Sequence, residues 1–342
     1  VEAASWRPRG HGRAPAHAVP TLAQLRTALD GRVLVELGQH GGRLVAVVLD
    51  GRRVRLVELA GVDAVTDQLH GLLFALRRLA DPRSSASSQA ARVNAQARLV
   101  RLRALLLDPL GLDPDVELVV VPVGLLHSVP WSALHEAPVA LAPSAAAWVR
   151  TAGASAPSGR TVLVAGPQLD GAREEVEALR AVHPGALVLG PQDGTAGAVL
   201  AALAGADLAH LACHGVLRAD SPMFSSVVLA DGPVTVQELH GAGAAPRRLV
   251  LASCHSGADV AYAGDEVLGF VAATLSRGTC AVVASLAAVP DVEAVGLMVA
   301  LHRELAAGAT MARALHAARS TLDLSTPGGF VSWCTFAAHG AG

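Results

Sequence analysis

Lysine is absent from this 342-residue chain, so all 27 of its basic side chains are arginine. Charge is sparse as well: charged residues make up 16% of the sequence and the formal net charge is −2. That leaves no basic surplus for a phosphate backbone, and a direct nucleic-acid partner is not expected. There are only four cysteines, and the N-terminus does not read as a secretory leader. Both features favour free thiols and a cytoplasmic location over a disulfide framework. No stretch offers eighteen uninterrupted apolar residues, because Arg277 cuts the most promising run and proline or charge cuts the others; a membrane span is not expected. Neither a GxGxxG after a strand nor a GxxxxGK[ST] occurs, so no cofactor is expected. Tetratricopeptide periodicity is missing too.

With 52% hydrophobic residues, the chain can bury one large α/β core or two smaller ones. It opens at Val1, and "VEAASWRPRGHGRAPAHAVP" (residues 1–20) reads as a disordered tail or linker, as if the chain were part of a longer protein. From about residue 32, "GRVLVELGQHGGRLVAVVLDGRRVRLVEL" holds three β-rich runs broken by Gly-Gly and Asp-Gly, the pattern of antiparallel hairpins. Val62, Val65, Leu69, Leu72, Leu76 and Leu79 then recur at helical spacing until Asp81-Pro82, and a second helix over about Ala90 to Leu107 pairs with the first. The rhythm then changes to short continuous apolar runs: "VELVVVPV", "RTVLVAG", "ALVLG", "LAHLAC", "RLVLASC" and "CAVVASL". Runs without alternation suit strands buried on both faces, as in a mostly parallel sheet with crossover helices.

Two of those strands end alike. "ADLAHLACHG" closes on Cys213-His214-Gly215, and "RRLVLASCHSG" closes on Cys254-His255. Chemistry in open parallel sheets gathers at the carboxyl ends of the strands. Successive strand side chains point to opposite faces, so at most one member of each pair can join a shared site. A four-ligand zinc centre fits neither that parity nor the usual ligand spacing, and no metal is expected. Two nucleophile–base pairs remain, His214 with Cys254 or Cys213 with His255. Glycine favours the first: Gly215 directly follows His214, where bare backbone can approach a carbonyl and present its N–H, while Cys213 is held within the apolar strand. Cys254 opens the "HSG" turn, which exposes its sulfur and its own N–H. Taken singly, a strand-end histidine or a free cysteine is more often structural; the 40-residue interval from His214 to Cys254 makes the pair worth more than its parts.

These residues resemble the CHAT domain, a caspase-like family associated with tetratricopeptide repeats and related to separases and caspases. "LVVVPVGLLHSVPWSAL", "DLAHLACHG", "SPMFSSVVLADG", "LVLASCHSG", "GDEVLGF", "VVASLAAVPD" and "WCTFAAHG" are similar to the family's segments and follow its order from near residue 32 to the end. The resemblance implies a caspase-like α/β fold. Residues 21–155 would form a meander, a helical hairpin and a pseudo-caspase-like part, and residues 156–342 the catalytic domain. It implies a cysteine endopeptidase acting on a protein substrate in a bacterial regulatory or defence pathway, the alternative being a catalytically silent interaction module. His214 would be the general base, Cys254 the nucleophile, and the N–H groups of Gly215 and Cys254 the oxyanion hole. Asp291 would receive a basic P1 side chain through a bidentate contact, although a helix-capping aspartate reads the same way. Asp265 and Glu266 are either rim residues of the substrate groove or first-turn acids of a helix. The family often has an acidic residue where this chain has His255, and a tryptophan where it has Ala287. Helical repeats usually accompany the domain, so the resemblance implies a regulatory helical-repeat partner or an N-terminal repeat region missing from this chain.

Overall fold

The computed structural model describes residues 19–81, 88–153, 159–169, 171–216, 221–243, 245–252, 264–286 and 291–342, without the side chains of 222, 240, 264–269 and 291–293. The proposed tail at 1–20 lies almost wholly outside these residues. Helix α1 (Leu22–Leu29) starts at a capping box in which Thr21 and Gln24 satisfy each other's backbone N–H groups. The meander follows as β1 (Val33–His40), β2 (Arg43–Leu49) and β3 (Val54–Gly61). Gly41 and Gly42, both with positive φ (56° and 76°), make the tight β1–β2 turn. Helices α2 (Val62–Ala80) and α3 (Ser88–Leu106) form the expected hairpin, burying Leu69, Leu72 and Leu76 against Ala95, Leu99 and Leu102 in one cluster.

Strand β4 (Leu118–Val121) leads through a short α4 (Trp131–Leu134) to β5 (Val139–Leu141) and α5 (Ala145–Ala152). Then come β6 (Thr161–Ala165), α6 (Ala172–Val182), β7 (Leu187–Leu189), α7 (Ala196–Leu203) and β8 (Leu208–Ala212). A three-stranded flap of β9 (Gly215–Val216), β10 (Ser226–Leu229) and β11 (Gly232–Thr235) precedes α8 (Val236–Gly241). The chain continues as β12 (Arg248–Leu251), α9 (Gly264–Leu275), β13 (Ala281–Ser285), α10 (Asp291–Ala306), α11 (Met311–Arg319), α12 (Pro327–Thr335) and β14 (Phe336–Gly340).

One eleven-stranded sheet runs in the order β3-β2-β1-β4-β5-β14-β13-β12-β8-β6-β7. The β1–β4–β5–β14 pairings are parallel, as are those from β13 through β12, β8 and β6 to β7. Outside the meander, antiparallel pairing occurs where β13 meets β14, with Val283 opposite Ala338. The sheet therefore reverses polarity at that seam, and the carboxyl ends of β6, β8, β12 and β13 share one edge. Helices cover both faces, which is why all five residues of β8 and all four of β4 are buried. Alternation divides them: Leu208 and Ala212 join Val176, Leu297 and Leu315 beneath α6, α10 and α11, whereas Ala209, Leu211 and Cys213 join the cluster of α7 and α9 on the other face.

Two titratable side chains are buried in the fold. The Arg319 guanidinium donates to the Trp333 carbonyl from Nε at 2.9 Å and Nη2 at 2.6 Å, reaches the Ser132 carbonyl at 2.5 Å, and stacks over the Trp333 ring at 4.5 Å. Burial pushes its pKa down to about 10. His339 on β14 is 2% exposed, and burial, reinforced by His127, pushes its imidazole down to about 3. The unfolded chain takes up a proton at this position near pH 6.5 where the folded chain does not. Stability is therefore expected to fall as the pH drops below that value, by about 2 kcal/mol from this group between pH 7 and pH 5. Urea melts at the two pH values check this: His339→Leu should lose that much less than the parent, and equal losses would contradict a buried neutral imidazole.

Candidate active site

Strand β8 delivers His214 to the shared carboxyl edge of the sheet, two residues past its last ladder position. The imidazole is half-buried, and its Nε2 lies 2.7 Å from the Gln168 carbonyl oxygen. A carbonyl can only accept, so Nε2 carries the hydrogen and Nδ1 of the neutral ring holds the lone pair. Gln168 follows β6 in a left-handed conformation, φ 55°. Such backbone costs a non-glycine residue about 1 kcal/mol, and here it turns a carbonyl towards the histidine. Gly166, two residues before Gln168, donates to the Ala212 carbonyl at 2.7 Å. A Cβ there would lie 2.8 Å from the Cys213 Cα, so only glycine lets the two strand ends come this close.

Gly215 begins β9. The Val228 N–H donates to the His214 carbonyl at 2.8 Å, and Gly215 stands opposite Val227. In an antiparallel ladder the pair next to a hydrogen-bonded one directs its N–H and C=O groups outwards. The Gly215 N–H therefore faces away from β10, towards the open side of the flap, where a donor for a developing oxyanion is useful.

Cys213, the other thiol in this motif, is fully buried in the α7/α9 cluster, and burial pushes its pKa up to about 12. Burial likewise raises Cys334 to about 12, and raises Cys280. None of these three thiols is poised as a thiolate at neutral pH. Cys254, His255 and Ala287 lie outside the described residues. Asp265 and Glu266 fall in the first turn of α9, and their side chains lie outside the description. Helix α10 already includes Asp291 as its first residue, one place further in than the capping position the sequence allowed for; its side chain is also outside the description. Among the described residues no group of three or more His, Cys, Asp or Glu side chains is arranged to hold a metal, and no helix is long and apolar enough to cross a membrane.

Two features of this edge escape sequence reasoning. The Gln168 carbonyl has no sequence signal, since any residue type supplies one. His210 had one: a histidine inside an all-apolar strand, four residues before His214 and on the same face by alternation. It sits in contact with Glu175 and His302, neither of which the motifs point to.

A mostly parallel, helix-covered sheet with an oriented imidazole and an outward-facing glycine N–H at its carboxyl edge defines an α/β protein of caspase-like fold. Residues 75–341 match the CHAT domain, and the chain belongs to that family. No curated protein matches it significantly. Among solved structures it is similar to the separase of the Saccharomyces cerevisiae separase–securin complex, with a TM-score of 0.63 at 11% identity over 93% of this chain; a second structure of that complex gives 0.63 at 10%. The chain spans about a third of the separase chain or less, 30% and 31% in the two structures. A more distant likeness is to the Porphyromonas gingivalis RgpB complex of pro- and mature domains, TM-score 0.47 and 11% identity over 82% of this chain and 77% of that one.

Proposed function

We propose that this protein is a cysteine endopeptidase in which His214 and Cys254 cleave a protein substrate, acting in a bacterial regulatory or defence pathway in the cytoplasm. Residues 156–342 form its catalytic part and residues 21–155 support it. Strand register carries the reading: Leu251 of β12 is paired with Leu211 of β8, and Cys254 and His214 each follow three residues later in the sequence. Supporting it, the described cysteines are all buried, which leaves Cys254 as the thiol to react.

The chemistry follows from the orientation of His214. With Nε2–H held by Gln168, Nδ1 takes the proton from the Cys254 thiol as sulfur attacks the scissile carbonyl carbon. The carbonyl π electrons move onto oxygen, where the N–H groups of Gly215 and Cys254 stabilise the charge, each worth about 3 kcal/mol. The tetrahedral intermediate collapses, the C–N bond breaks, and the His214 imidazolium passes its proton to the leaving amine. Water then attacks the thioester with His214 again as base, releasing the acid and restoring the thiol.

For specificity, Asp291 receives an arginine at P1, with Asp265 and Glu266 at the rim. A carboxylate in a pocket is costly unless paired, and a guanidinium satisfies both of its oxygens. Asp291→Ala should abolish the Arg preference, shifting residual cleavage to apolar P1 residues. If the residue serves only the helix, the variant should lose about 0.5 kcal/mol through the α10 dipole and keep its cleavage profile. P1 profiling and a melting curve on one preparation separate these outcomes. The reading as a whole is tested by a cleavage-site profile of the purified protein on a denatured proteome with Cys254→Ala as control. No cleavage beyond that control would favour the interaction-module alternative. A helical-repeat partner is the regulator we expect to find bound to the full protein.

A further inference from the structure

A row of imidazoles runs beneath the strand that carries His214. His210 on β8 is wholly buried, with Nε2 2.8 Å from Glu175 Oε1 on α6 and Nδ1 3.1 Å from His302 Nε2 on α10. His302 is wholly buried too, and its Nδ1 lies 3.0 Å from Nε2 of His183, the half-buried residue that ends α6. Each N···N contact needs one N–H and one lone pair, so the row has a direction. Glu175 and His210 meet at an ion-pair distance without hydrogen-bond alignment; with the hydrogen of neutral His210 on Nε2, His302 donates from Nε2 to His210 and His183 from Nε2 to His302, and the outer His183 Nδ1 keeps a lone pair.

The surroundings are otherwise nearly apolar. Among the described residues, the charged group coupled to the row is Arg248 of β12, held by Asp207 at 2.5 Å; the buried Cys213 thiol, on the opposite face of β8, is coupled electrostatically to Glu175. From β6 and α11, Leu163 and Leu315 line the same face. Burial first, and then His210, His183 and Arg248, hold His302 well below the ordinary imidazole range, which suits a ring that passes a proton without keeping it. Linkage to the site is short. Glu175 grips His210 from α6, and the segment leading into α6 supplies the Gln168 carbonyl to His214.

We propose that Glu175, His210, His302 and His183 form a proton relay that takes up one proton from solvent at His183, stores it on His210 against Glu175, and thereby seats α6 more firmly against β8. The steps balance. A solvent proton binds His183 Nδ1; the Nε2 proton of His183 moves to His302 Nδ1; the Nε2 proton of His302 moves to His210 Nδ1. His210 is then an imidazolium beside a carboxylate, the other two rings are neutral with reversed tautomers, and the row has gained one proton. Through Gln168, loading reaches the hydrogen bond that orients His214; only this last step concerns the site proposed above.

Histidine 15N NMR on the full chain from pH 8 to 5 tests the relay without any cleavage assay, so a chain that proves not to be a peptidase leaves the result readable. His210 should become doubly protonated in the same transition in which His183 and His302 switch tautomers, with the His214 Nε2–H signal shifting in step. Glu175→Gln should lower the proton affinity of the row at least about tenfold, moving the midpoint down by about one pH unit or more. His183→Gln changes only the half-buried end of the row. Its amide can bond His302 in either tautomer but cannot pass a proton, so the midpoint should hold while proton exchange at His210 slows at least about tenfold. The proposal is overturned if His183 titrates alone while His210 stays neutral, if Glu175→Gln leaves the midpoint where it was, or if His214 ignores the transition.

Discussion

Cys254→Ala and His214→Ala are each expected to bring peptide cleavage down to background, a loss on the order of 10⁴-fold or more, since the members of a nucleophile–base pair act as a unit and removing one costs nearly as much as removing both. The double variant should therefore be no worse than either single one. Cys213→Ala is the informative contrast. Its thiol is packed in the α7/α9 cluster with its pKa raised to about 12, so its loss should cost about 1 kcal/mol of stability and leave most of the activity. Steady-state cleavage of a peptide pool, with melting curves on the same samples, checks all three. An inactive Cys213→Ala beside an active Cys254→Ala would reverse the assignment.

The second large effect is expected at a residue with no chemistry of its own. At Gly166 a methyl group would lie 2.8 Å from the Cys213 Cα, 3.0 Å from its Cβ and 3.1 Å from its sulfur. The sulfur can turn aside, but the backbone carbon cannot, so Gly166→Ala must push apart the ends of β6 and β8. Overpacking of this kind costs about 1–3 kcal/mol. The displaced strand end also carries His214, and the displaced turn carries the Gln168 carbonyl that orients it. A shift near 1 Å at such a centre costs about 100-fold in turnover. Combining it with Cys213→Ala should recover little, because the clash with the residue 213 backbone remains. Full activity in Gly166→Ala would show that the close approach of the β6 and β8 ends does not position His214.

Much of this architecture was legible because it follows from period and punctuation. Gly41-Gly42 announced the meander, Val62 through Leu79 the first hairpin helix, and the unbroken apolar runs the buried parallel strands. Helix α6 spans "AREEVEALRAV", whose apolar residues recur at helical spacing. Strand β5, three residues long, carries too short a pattern to be told from loop, and helix α12 begins "PGG", which reads as a turn. The reversal at β13–β14 is a matter of long-range pairing, which local periodicity does not encode. At the site, parity and glycine singled out His214 and Gly215, and parity correctly placed Cys213 on the opposite face. The Gln168 carbonyl stayed invisible because backbone geometry, not side-chain identity, makes it useful. In the Glu175–His210–His302–His183 row, directly contacting residues lie as far as 119 positions apart, and only the packing of α6 and α10 onto β8 brings them together.

Cys254, activated by His214, is the proposed nucleophile. Labelling the intact protein with a peptidyl electrophile bearing arginine at P1, followed by peptide mapping in the mass spectrometer, tests it most directly. One label per chain is predicted, on Cys254, disappearing in His214→Ala while the protein remains folded. A label on Cys213, Cys280 or Cys334, or labelling of Cys254 at an unchanged rate without His214, would contradict it.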